Sequence, residues 1–147
     1  MAVKTCIEIL KHLETELKKI TKANGYIFDI KAVDREYKER APEEYPFLFI
    51  NDIHDKYELR ILKNLHRKVS LIQIVGYVYQ NEYNVTEQLG ELLQNLKDDT
   101  TKCLAADTYF NSTDCELQII EVVTDDGYKD TMASIYCNLG VIHYDSR

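Results

Sequence analysis

Tryptophan is absent from this sequence, and proline and glycine are scarce, at two and five residues in a chain of 147. So little of either excludes a long flexible linker, and no low-complexity tract or internal repeat is present. No apolar run approaches the ~20 residues of a membrane span. The N-terminus, MAVKTCIEILKHLETELKK, carries charges throughout and no apolar core, so no signal peptide and no membrane association are expected. Basic residues are in the minority: 18 Lys and Arg stand against 25 Asp and Glu, a formal net charge of -7. That balance argues against a nucleic-acid-binding face, which needs a basic surface, and is compatible with one that repels phosphate. The four cysteines, Cys6, Cys103, Cys115 and Cys137, form no CxxC pair and each sits in an apolar pattern. They read as reduced, buried thiols of a cytosolic protein.

What is present is the make-up of one globular domain, 45% hydrophobic and 29% charged, spanning residues 1–147. A chain of this length can bury about two-thirds of its unfolded surface, enough to fold alone. Cys6, Ile9, Leu10, Leu13, Leu17 and Ile20 recur at helical spacing and predict a helix over 3–22, with Glu14 and Lys18 as an i,i+4 pair and Asn24-Gly25 as its stop. Strands are predicted at 26–33 and 45–53, the latter with Pro46 near its start, where the missing N–H is tolerated. The stretch 54–67 fits either a hairpin arm or an irregular excursion. A strand at 68–80 follows. A second helix is predicted from near Asn84, with Leu89, Leu92, Leu93 and Leu96 as its stripe, ending near Asp98-Asp99 or continuing to Leu104. Strands at 115–123 and 132–144 close the chain. The order α-β-β-β-α-β-β predicts an α+β fold: a mainly antiparallel sheet of about five strands with two main helices.

Two helices cover about one face of such a sheet, yet the strands at 68–80 and 132–144 are apolar or tyrosine-bearing on both parities. In the last strand Ala133, Ile135, Cys137, Leu139 and Val141 point one way, and Ser134, Tyr136, Asn138, Ile142 and Tyr144 the other. Either the helices flank both faces, or the sheet curls on itself, or a neighbouring subunit covers the second face. On the last alternative Tyr77, Tyr79, Tyr136, Tyr144, Leu62 and Leu65 are candidate interface residues, tyrosine having an apolar body and a wet tip.

No catalytic pattern stands out. The glycines are isolated, so no phosphate-cradling loop is present, and no serine sits in a GxSxG elbow. His12, His54, His66 and His143 lack metal-ligand spacing, and neither a metal nor a cofactor is expected. Asp52 or Asp55 followed by Glu58-Leu59-Arg60 approximates the acid-then-ExK pattern of small metal-dependent nucleases. Arginine stands where the lysine belongs, and the acid lies too close. The acidic pairs Glu43-Glu44, Asp98-Asp99 and Asp125-Asp126 lack calcium-loop spacing, and Asp125-Asp126-Gly127 reads as a turn. The basic cluster Lys63, His66, Arg67, Lys68 fits a partner's acidic face at least as well as phosphate.

The layout as a whole resembles the bacteriophage tail terminators. The resemblance runs through the first helix, Gly25-Tyr26, the strand Tyr45-Pro46-Phe47-Leu48-Phe49-Ile50, the strand Ile74-Val75-Gly76-Tyr77-Val78-Tyr79, the leucine helix, Thr124-Asp125-Asp126-Gly127 and a last strand ending in Tyr144. Where that family often has proline or glycine before the last strand, Asp130-Thr131-Met132-Ala133 stands here. The resemblance implies a non-enzymatic virion protein, assembled in the host cytoplasm. It would form a ring with itself, commonly a hexamer, on the last ring of tail tube protein. There it halts tube growth and offers a docking face to the head–tail connector, and in contractile tails it meets the sheath. DNA would pass through the ring without specific binding, so an acidic lumen is expected, to which Glu43, Glu44, Asp98 and Asp99 are assigned. Another phage neck or tube-like assembly protein is the alternative, and a small metal-dependent nuclease the third reading.

Overall fold

The computed structural model describes residues 6–35, 44–62, 65–79, 89–106, 115–125 and 132–146, with the backbone alone for Cys6, 54–62, 65–66, Leu89, Met132, Asp145 and Ser146. The elements are α1 (Cys6–Leu17), a 3-10 turn (Lys22–Asn24), β1 (Ala32–Asp34), β2 (Phe47–Leu62), β3 (Leu65–Tyr79), α2 (Leu89–Ala105), β4 (Cys115–Asp125) and β5 (Met132–Ser146). The fold is α+β. Its single five-stranded sheet has the order β1-β2-β3-β5-β4, and only the short β1–β2 pair is parallel.

The two helices lie on one face of the sheet. Ile9, Leu13, Leu17 and Ile20 recur on one side of α1 and its extension, and all four are buried. They join Leu92, Leu93, Leu96, Cys103 and Leu104 of α2 in one core with Leu48 and Ile50 of β2, Ile72, Ile74 and Val78 of β3, and alternate residues of β5 from Ala133 to Val141. The strands contribute only one parity each, as the pleat requires. The expected core face of β5 is therefore correct. Gly76 sits where α2 comes closest. A Cβ there would lie 2.7 Å from Leu48 Cδ2, 2.9 Å from Leu96 Cδ2 and 3.1 Å from Ile135 Cγ1.

Three segments differ from the sequence expectation. The helix expected to Lys22 stops at Leu17, and the chain then turns through a 3-10 turn closed by Gly25 in the left-handed conformation (φ 90). The strand expected at 26–33 shrinks to Ala32–Asp34. The reason is where its backbone donors go: Ile27 and Phe28 N–H bond to the Asp99 carboxylate, and Ile30 N–H to the Ile20 carbonyl, so no ladder forms there. The ambiguous stretch 54–67 is a hairpin arm. β2 and β3 stay paired out to Leu62↔Leu65, with register shifts at 52/54, 57/59 and 60/62 that twist the arm. α2 takes the longer of its two expected ends; its expected cap at Asn84 lies outside the described residues.

Candidate functional site

The sheet face opposite the helices carries the second parity of the strands, and it is only partly accessible: Phe47 and Val75 on it keep 1% of their surface each. The second parity of β3 places Val69, Leu71, Gln73, Val75, Tyr77 and Tyr79 there, and β5 adds Tyr136, Asn138, Ile142 and Tyr144. Register sets Tyr136 across from Val75 and Tyr144 across from Arg67. The structure thus brings four of the predicted interface residues, Tyr77, Tyr79, Tyr136 and Tyr144, onto one face, each half-buried. Leu62 and Leu65 lie at the tip of the β2–β3 arm by their backbone pairing; their side chains fall outside the description.

One end of this face is aromatic. Phe47 stacks on Tyr77 at 5.1 Å between centroids, Phe49 on Tyr77 at 6.1 Å, and Tyr45 meets Phe47 at 5.0 Å and Tyr79 at 5.3 Å. Cross-strand aromatic pairs of this kind fix register and stiffen the sheet. The middle of the face carries an uncharged-to-acidic ladder that sequence reading missed. Gln73 Nε2 donates to Asn138 Oδ1 and Asn138 Nδ2 donates to Glu121 Oε1, each at 2.9 Å. The only available signal was that polar residues sit at matching depth in three strands whose register the sequence leaves open.

β4 forms the far edge, and three of its apolar residues are exposed. Ile119, Ile120 and Val123 keep 38%, 59% and 46% of their surface. The run CELQIIEVV has no alternation, which predicts a strand without assigning a face.

The acidic residues assigned to a lumen divide. Asp98 is exposed on α2, accepting from Gln94 at 3.3 Å, and Glu44 is half-buried three residues before β2. Glu43 falls outside the described residues. Asp99 must be corrected. It keeps only 2% of its surface, and its carboxylate accepts the N–H of Phe28 at 2.8 Å and of Ile27 at 3.1 Å. It anchors the segment after α1 and faces no solvent. Its neighbours on α2 complete the clamp: Lys102 Nζ donates to the Gly25 carbonyl at 3.1 Å and lies 4.9 Å over the Tyr26 ring, while Cys103 Sγ donates to the Glu16 carbonyl at 3.2 Å. A shallow cavity of about 270 Å³ opens beside it, lined by Glu16, Lys19, Asn24, Tyr26, Cys103 and Ala106. Burial, and then Cys103, Asp99 and Glu16 nearby, push the Tyr26 hydroxyl up to about 12.

At the outer end of the core face, Ser70 Oγ and His143 Nε2 lie 2.8 Å apart, both fully buried. Register places Lys68 and Cys115 on either side of His143. Such burial gives a substrate no approach, so the pair acts as a cross-strand bond between β3 and β5. Cys103, Cys115 and Cys137 are buried thiols outside any disulfide, and burial pushes the Cys137 thiol up to about 11. The acidic and arginine positions of the nuclease-like pattern, Asp55, Glu58 and Arg60, lie on β2, with their side chains outside the description; Asp52 is exposed. Among the described residues, no group of three or more His, Cys, Asp or Glu is placed to hold a metal ion. No described helix is long and apolar enough to cross a membrane.

Comparison with known proteins adds no family: no protein-family model matches the chain, and no curated protein matches it.

Proposed function

We propose that this protein is a structural subunit that assembles with copies of itself into a ring on the head-proximal end of a phage tail tube. The ring stops tube polymerisation and forms the joint with the head connector. One observation carries the reading: a five-stranded sheet with both helices on one face and a tyrosine-rich, largely apolar second face. A protein that works alone has reason to cover such a face, and one that works by assembly has reason to keep it. The layout resemblance set out above supplies the kind of assembly. The acidic balance of -7 suits a channel that DNA crosses without sticking; the surface-accessible candidates for its lining are now Asp98 and Glu44.

The test is polymerisation of the cognate tail tube protein watched by electron microscopy. Tubes of limited length bearing a ring at one end are expected when this protein is added. Unlimited growth at saturating protein sinks the reading.

A further inference from the structure

We infer that successive copies of this chain join edge to edge, the outer edge of β4 on one copy meeting the β1 side of the next. Three features of the sheet lead there. First, β4 and β1 are the outermost strands of the sheet, and among the described residues no further strand pairs with either. β4 is eleven residues long and carries neither lysine nor proline, while its register shift at 119/121 and its acids Glu116, Glu121 and Asp125 restrict pairing to an edge of opposite charge. It also carries the exposed Ile119, Ile120 and Val123.

Second, the two edges differ in charge. β4 holds Glu116, Glu121 and Asp125, all exposed, and no basic residue. On the β1 side, Glu14 of α1 stands between Lys18 at 3.3 Å and Arg35 at 3.4 Å, and Lys31 is exposed at the start of the strand. Among the described residues on this side, the cations Lys18, Lys31 and Arg35 stand beside the acids Glu14 and Asp34. Two β4 edges placed together would double the carboxylates along one seam, which disfavours a two-fold pair. Unlike edges are complementary.

Third, the strand directions fit. β1 is parallel to β2, and each later pair in the order is antiparallel, so β4 runs opposite to β1. A copy set beside the first in the same orientation therefore continues the sheet in its dominant antiparallel mode. β1 has only three residues, so the backbone ladder between copies is short. The β4 isoleucines and the charge seam carry most of the contact. Repeating one head-to-tail contact gives a ring or a filament; closure into a ring rests on the tail-terminator reading.

The experiment is light scattering across a concentration series on four samples. These are the unaltered chain, Glu116→Lys/Asp125→Lys, Lys31→Glu/Arg35→Glu, and an equimolar mixture of the two variants. The unaltered chain is expected to form oligomers, each variant alone to stay monomeric, and the mixture to regain the oligomer, because the reversed β4 edge of one variant then meets the reversed β1 side of the other, and the two unaltered edges meet as in the parent. Regain on mixing also proves that the variants fold. An unaltered chain that stays monomeric throughout, a variant that assembles like it, or folded variants that fail to recover on mixing overturns the inference. Tube capping separates this from the functional reading. Dispersed variants that still cap tubes refute the edge contact alone. Edge-joined oligomers that leave tubes growing refute the tail-terminator reading alone.

Discussion

At the scale of the residue, Asp99 and Tyr26 show how one buried side chain decides a local structure. The carboxylate takes two backbone donors that would otherwise seek a strand partner. Replacing Asp99 by Ala leaves both N–H groups without it, at a cost of about 1–3 kcal/mol per unsatisfied group at most. Asp99→Asn keeps one acceptor oxygen and should lose less. Urea denaturation of the three proteins checks the order. Tyr26 and Cys137 give a pH dependence with a definite sign. Tyr26 rises from 10.0 to about 12, and Cys137 from 9.0 to about 11. Both hold their protons more tightly folded than unfolded, so unfolding releases protons. The stability they contribute is fully present below pH 9 and is lost as pH rises through 11 to 12. Urea midpoints measured from pH 8 to pH 12 should fall across that window. Tyr26→Phe should remove the upper part of the fall, and Cys137→Ala the lower part. An unchanged profile in both variants contradicts the assignment.

At the scale of the element, the two glycines of the β3 strand and the α2 helix predict opposite outcomes. Gly76→Ala forces three core side chains apart where α2 meets the sheet, and overpacking of that kind costs about 1–3 kcal/mol. Gly90 lies exposed in the first turn of α2, where an added Cβ would meet nothing within 4 Å among the described residues, so Gly90→Ala should stabilise by about 0.5–1 kcal/mol through helix propensity. Thermal unfolding of the pair reads both signs at once. Elements were largely legible in the sequence because their signals are periodic: the stripe of α1, the leucines of α2 and the clean parity of β5 all predict the faces they bury. What was not legible depended on contacts distant in sequence. β1 is short because Asp99, over 70 positions away, takes its donors. The Gln73–Asn138–Glu121 ladder exists only once β3, β5 and β4 are adjacent. The 54–62 arm is a strand because β3 pairs along its length, through two register shifts, which its charged sequence does not announce.

At the scale of the whole molecule, the question is whether the half-buried sheet face opposite the helices keeps its remaining contact with water or loses it in the assembly. Tyr136 lies in its middle, across from Val75 of β3 and Val123 of β4, and is half-buried in the single chain. In the monomer Tyr136→Asp leaves the new carboxylate in reach of water, so the melting temperature should move little, by the amount of a surface change of about 0.5 kcal/mol. In an assembly that covers this face the same carboxylate loses its water with no cation opposite it in the sheet. An unpaired buried charge costs several kcal/mol, and each 1.4 kcal/mol is tenfold in affinity. Oligomer formation should then weaken by at least a hundredfold while the fold survives. Tyr136→Phe keeps the apolar body and loses only the hydroxyl, so it should assemble like the parent chain. Sedimentation of the three proteins at matched concentrations tests this separately from the β4 edge. If Tyr136→Asp assembles as the parent does, the face remains solvated in the oligomer and the edge contact alone holds the copies together.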